Sequence, residues 1–117
     1  MQKITVLVLE PNREPYVKEI TRCLESYQEI VGGYIEIIYP FGKEAALVCN
    51  EDGKILWLPW NRALKDDNGE ILDIVVGTCF ITGIKEDDFS SLSQELVDKY
   101  TEMFKDCFWK EIFQKFE

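Results

Sequence analysis

Between Leu47 and Leu64 the chain reads LVCNEDGKILWLPWNRAL, and this stretch limits the fold more than any other. An apolar run meets Asp52-Gly53, two residue types that tolerate the positive φ angles of a two-residue hairpin turn. The reading is a strand over 45–50, the turn, and a second strand over 54–58. Asn61-Arg62 follows in apolar company, between Trp60 and Leu64. A guanidinium in such a setting needs a partner, because burying an unpaired charge is costly. A bound anion would satisfy it, and so would an internal ion pair.

The flanking segments extend this pattern. Ile4 to Leu9 is almost continuously apolar and β-branched, as expected of a central strand covered on both faces. Glu10-Pro11-Asn12-Arg13 breaks it, and Pro15 suits the first turn of a helix. Val17, Ile20, Cys23, Leu24, Tyr27, Ile30 and Val31 recur at helical spacing, so a helix is expected near Val17–Val31. Gly32-Gly33 ends it, and a strand over 34–39 follows. Asp67-Asn68-Gly69 signals another turn. The β-rich run over 71–84 is interrupted by Gly77, which marks a bulge or a close backbone approach. Glu86-Asp87-Asp88 reads as a solvated acidic loop. Ser93 is the N-cap expected for a last helix near Gln94–Phe116. The chain of 117 residues has no internal repeat or linker. It therefore reads as one α+β domain over 1–117, a mostly antiparallel sheet packed by two main helices.

Composition narrows the chemistry. The chain has no histidine, which removes the commonest general base near neutral pH and with it Ser-His-Asp and Cys-His mechanisms. Its four cysteines, Cys23, Cys49, Cys79 and Cys107, are far apart and sit in apolar patterns. They are expected to be free thiols in a cytoplasmic protein, with no zinc site and no cofactor. The turn-like Asp66, Asp67, Asp87 and Asp88 give only an unspecific setting for magnesium. The 22 acidic residues outnumber 13 basic ones, for a formal net charge of −9. Such a surface disfavours nucleic acid and anionic membranes, and no apolar run is long enough to span a bilayer.

Four residues are the candidate ligand contacts. Arg62 would hold a carboxylate or phosphate, with Asn61 supplying directed donors and acceptors. Arg13 lies between a strand end and the expected helix start, where open sheets often bind ligands. Tyr34 follows the paired glycines and would stack on a ligand that approaches the backbone. The structural alternatives are an internal ion pair for Arg62, a plain strand-to-helix connection at Arg13 and a helix cap before Tyr34. Trp57, Trp60 and Trp109 read as core or interface aromatics. Trp109 and Phe113, four residues apart, widen the apolar face of the last helix, and a symmetric homodimer is expected to bury them.

Several blocks in order also resemble a known family. Glu10-Pro11 at the end of the first strand, VGGYIE, LVCNEDGK, LPWNRAL and IVVGTCFITG are similar to domain-of-unknown-function family 3846. The resemblance runs from Ile4 to about Tyr100 and is most specific at GGYIE and CNEDGK. Trp60 stands where that family leads one to expect a smaller apolar residue. The aromatic-rich tail from Phe104 onward is particular to this chain. The family comprises small proteins of bacteria, phages, plasmids and conjugative elements, chiefly in Firmicutes. It implies a mobile-element setting, where small proteins often counter host defence, and it implies no activity. The expectation is a non-catalytic module that captures a small anionic, nucleotide-like molecule. The alternative is an acidic module that binds or inhibits a host protein.

Overall fold

The structure is a computed structural model and describes residues 2–107. Eight strands and two helices follow one another along these residues. β1 (Lys3–Leu9) and β2 (Tyr16–Thr21) come first, then α1 (Leu24–Val31). β3 (Ile35–Ile38), β4 (Ala45–Asn50) and β5 (Trp60–Lys65) follow. β6 (Ile71–Val76), β7 (Cys79–Lys85) and β8 (Asp88–Ser90) lead to α2 (Gln94–Met103).

The central sheet has the order β2-β1-β7-β4-β3, with β8 pairing the last residues of β7 on the side of β1's first half. Every pairing is antiparallel. β1, β4 and β7 are buried on both faces, which explains their unbroken apolar runs. One face carries Val6, Val8, Val48 and Phe80 under Tyr27 and Val31 of α1. The opposite face carries Leu7, Leu9, Leu47 and Ile81 under α2 and the β5–β6 ribbon, through Leu64, Val75, Val97 and Tyr100. The result is the expected α+β class, with the sheet sandwiched between α1 and a mixed helix-and-ribbon layer.

Local signals set several boundaries. The Ser93 hydroxyl accepts from the Leu96 N–H and caps α2. α1 stops at Gly32, whose φ of 76° suits a residue without Cβ. Asp67-Asn68-Gly69 turns between β5 and β6, with the Asp66 carboxylate accepting from the N–H groups of Asn68 and Glu70.

Two expectations are corrected. Helical spacing placed 17–22 in a helix, yet Tyr16–Thr21 is an edge strand paired along its length with β1. Val17 and Ile20, three apart, fit only the helical period; on the strand they face opposite ways, Ile20 buried and Val17 exposed, and β1 offers a ladder that a helix would leave unfilled. Only Leu24–Val31 is helical. The second correction concerns Asp52-Gly53, which does not close a hairpin. The Asn50 side chain accepts from the Asp52 N–H at 2.8 Å and turns the chain out of the sheet. One helical turn follows, with Leu56 N–H on Asp52 O and Leu58 N–H on Gly53 O. Gly53 is needed for space: a Cβ there would lie 2.9 Å from Cγ2 of Val76. The expected strand over 54–58 is therefore a surface turn, and the partner of β5 is β6, in a separate two-stranded sheet.

α2 runs only to Met103, with Phe104 as its C-cap. The remainder of the helix expected near Gln94–Phe116, including Trp109 and Phe113, lies partly outside the described residues, as does the dimer contact assigned to those two side chains.

Candidate functional site

Asn61 and Arg62 are both buried, although neighbours on a strand ordinarily face opposite ways. The register explains it. Trp60 pairs Val76 and Arg62 pairs Val75, so Asn61 is the extra residue of a β-bulge. The bulge admits both side chains to the junction between layers. Asn61 Nδ2 donates to the carbonyls of Leu9 and Gly77, each at 2.8 Å. Its Oδ1 accepts from Arg62 Nη1 at 2.7 Å. Arg62 Nε donates to Phe104 O at 2.9 Å, Nη1 to Glu10 O at 3.2 Å, and Nη2 to Arg13 O at 2.5 Å. The pair thus joins the end of β1, the 10–15 connection, the β6–β7 turn and the C-cap of α2. At 1% exposure, Arg62 meets main-chain acceptors and not solvent.

The other two candidates are placed differently. The Arg13 carbonyl belongs to this hub, while its guanidinium lies outside, paired with Glu10 at 2.8 Å and 4.5 Å above the Tyr16 ring. Tyr34 stands exposed just before β3, its carbonyl accepting from the Glu51 N–H. The four candidates therefore do not converge on one cavity: Asn61, Arg62 and the main chain of Arg13 meet inside, and Tyr34 is separate from them.

A large concavity lies on the α1 side of the sheet. α1 has eight residues, about 12 Å of helix, too short to cover a sheet of five strands roughly 4.8 Å apart. The uncovered part is a groove of about 800 Å³ between α1, β3 and the β7–β8 hairpin. Its apolar surface comes from Leu24 and Tyr27 of α1, Ile35, Ile37 and Tyr39 along β3, and Ile84 and Phe89 of the hairpin. Ile35, Ile37 and Tyr39 alternate with Glu36 and Ile38, as period 2 requires. Tyr27 and Phe89 pack at a ring separation of 4.8 Å and form the inner wall.

Glu86, Asp87 and Asp88 form one rim and Lys43 lies on another part of it. Glu86 and Asp87 are the two central residues of the β7–β8 turn, at φ 53° and 62°. Aspartate tolerates this conformation at 87, but Glu86 in the left-handed region costs about 1–2 kcal/mol where Asn or Gly would not. Two carboxylates are thus held at the groove mouth at the expense of local stability. Asp88 pairs with Arg22 at 3.1 Å. Burial, and secondarily the charge of Asp88, raises the Tyr27 phenol above its ordinary range. This rim favours a cation. Glu86, Asp87 and Asp88 are exposed, as the reading of a solvated acidic loop expected; their place at the groove was not read from the sequence, where the signal was a tight turn built from acids in place of Asn-Gly.

A second, more polar concavity of about 410 Å³ lies between α2 and β5. There the Glu44 carboxylate accepts from Lys99 at 2.8 Å and from the Tyr100 hydroxyl at 2.5 Å. Those two bonds, Lys99 first, hold its pKa below the ordinary glutamate range. Among the described residues, no group of three or more His, Cys, Asp or Glu is arranged to hold a metal ion. No helix among them is long and apolar enough to cross a membrane.

Fold and site together define a small antiparallel α+β domain with a buried Asn-Arg hub and an acid-rimmed apolar groove. The chain belongs to the family described as Domain of unknown function (DUF3846), which matches residues 4–105. No curated protein and no solved structure matches it.

Proposed function

We propose that the chain is a non-catalytic interaction module that takes a basic, amphipathic segment of a partner protein into the α1–β3–β7–β8 groove. The supporting observation is the pairing of an apolar floor with the carboxylates of Glu86, Asp87 and Asp88 at its mouth. The net charge of −9 attracts such a partner over distance, and the groove supplies the apolar contact that retains it. In the mobile-element setting implied by the family resemblance, the partner is a host protein and occupation of its basic segment is inhibitory. Capture of a small anion through Arg62 is the weaker reading. A ligand would have to displace the carbonyls of Glu10, Arg13 and Phe104 and would meet acidic side chains at the groove.

The test uses a fluorescein-labelled Lys/Leu amphipathic peptide and its Glu/Leu counterpart. The basic peptide should bind in the micromolar range, less tightly as salt rises, and the acidic one should not bind. Glu86→Asn with Asp87→Gly should weaken binding roughly tenfold while raising fold stability by about 1 kcal/mol. Asp66→Asn with Asp67→Asn removes the same charge on the other layer and should change binding little. Equal losses in the two double variants would reduce the effect to net charge and end the groove assignment. Saturable binding of a nucleoside phosphate, abolished by removing Arg62 in a variant that remains folded, would favour the anion reading.

A further inference from the structure

The turn over 52–58 carries a second surface whose character is the opposite of the groove's. Trp57 is 91% exposed, Ile55 77% and Leu72, beside them on β6, 70%. Trp57 and Leu72 line a concavity of about 460 Å³ with Ile74 at its side. Exposed apolar area of this kind exceeds what a solitary domain usually leaves in water.

The backbone favours another residue at the centre of this surface. Trp57 N–H donates to Lys54 O and Leu58 N–H to Gly53 O, the two bonds of a Schellman helix end. Trp57 occupies its left-handed position at φ 56°, where glycine is the usual residue. The chain therefore presents a large aromatic at a strained position facing solvent.

Charge selects the occupant. The charged groups at the concavity, Lys54 and Asp73, pair with each other at 2.6 Å, so the concavity itself has no net charge; Asp52, at the start of the turn, is not part of its lining. A basic partner gains nothing here. An anionic membrane meets a chain of net −9 and no unpaired lysine at this concavity. Two copies of this chain repel one another across most approaches, but the charge-balanced concavity brings no like charges into contact. Among the described residues β6 pairs only with β5, so its exposed first half adds backbone to the same edge. We infer that the face formed by the 52–58 turn and β6 binds its counterpart on a second copy of this chain about a two-fold axis.

The experiment is sedimentation of the full chain across the micromolar range at low and high salt, for wild type, Trp57→Gly and Leu72→Lys. The wild type should form a dimer that strengthens with salt, because screening relieves the repulsion between acidic copies. Each variant should weaken association roughly tenfold or more. Trp57→Gly should melt no lower than wild type, since glycine suits the position, so its loss of dimer would not reflect misfolding. A wild type that stays monomeric at both salt concentrations, or a dimer that both folded variants retain, would overturn the inference. The peptide assay above is independent of it and has the opposite salt dependence.

Discussion

At the scale of single residues, Arg62 shows most clearly how a charge can serve a fold. Its Nε, Nη1 and Nη2 reach the carbonyls of Phe104, Glu10 and Arg13, which belong to distant parts of the chain. Planarity lets one side chain meet three acceptors, which an ammonium on a flexible stem cannot reproduce. Arg62→Lys should therefore cost at least about 2 kcal/mol, because buried carbonyls lose charged donors. Urea unfolding followed by tryptophan fluorescence measures it. A loss within about 0.5 kcal/mol, the usual range for a surface change, would mean that the hub contributes little to holding the layers together.

At the scale of elements, α2 is anchored at its start and its middle by different chemistry. Ser93 caps its start, and Lys99 and Tyr100 tie its middle to Glu44, just before β4. The folded pKa of Glu44 is lowered, so its stabilising contribution is complete above the ordinary glutamate range. That contribution is lost as pH falls through the lowered value and the carboxylate is protonated in both states. Glu44→Gln should lower the melting temperature near neutral pH and matter progressively less toward acid. Thermal melts of the two proteins at a series of pH values decide it, and an undiminished gap at the acid end would contradict the assignment. α1, by contrast, is too short to cover its face of the sheet, and that shortness creates the groove.

At the scale of the whole molecule, the layers protect their thiols unequally. Cys79 lies fully buried between layers, and Cys49 is nearly so. Burial, and then the charge of Glu36, pushes the Cys49 thiol up to about 11, and burial raises Cys79 further. Cys23 and Cys107 are only partly covered. A thiol reagent at neutral pH should modify Cys23 and Cys107 promptly. Cys79 should react only through global opening, at a rate that denaturant accelerates. Peptide mapping of the modified protein resolves the sites. Modification of Cys79 as fast as Cys23 would mean that the layers separate locally.

What was legible in the sequence is what neighbours along the chain determine. Ser93 caps a helix, Gly32 ends one, and Asp67-Asn68-Gly69 turns, because each needs only its own few φ and ψ angles. Unbroken apolar runs at Ile4–Leu9 and Ala45–Asn50 likewise identify strands covered on both faces. The sequence alone therefore determined the α+β class and the strands β1, β3, β4, β6 and β7, but not β2, β5 or β8. Tertiary structure decided which partner each segment takes. Val17 and Ile20 keep helical spacing, yet the ladder that β1 supplied made 16–21 a strand. Gly53 suited a hairpin until the approach of Val76 made its missing Cβ a matter of space. The bulge at Asn61 brought both candidate side chains inside against main-chain carbonyls, and the uncovered end of α1's sheet face became the groove. Pairing and burial depend on residues distant in sequence, so no local pattern carries them.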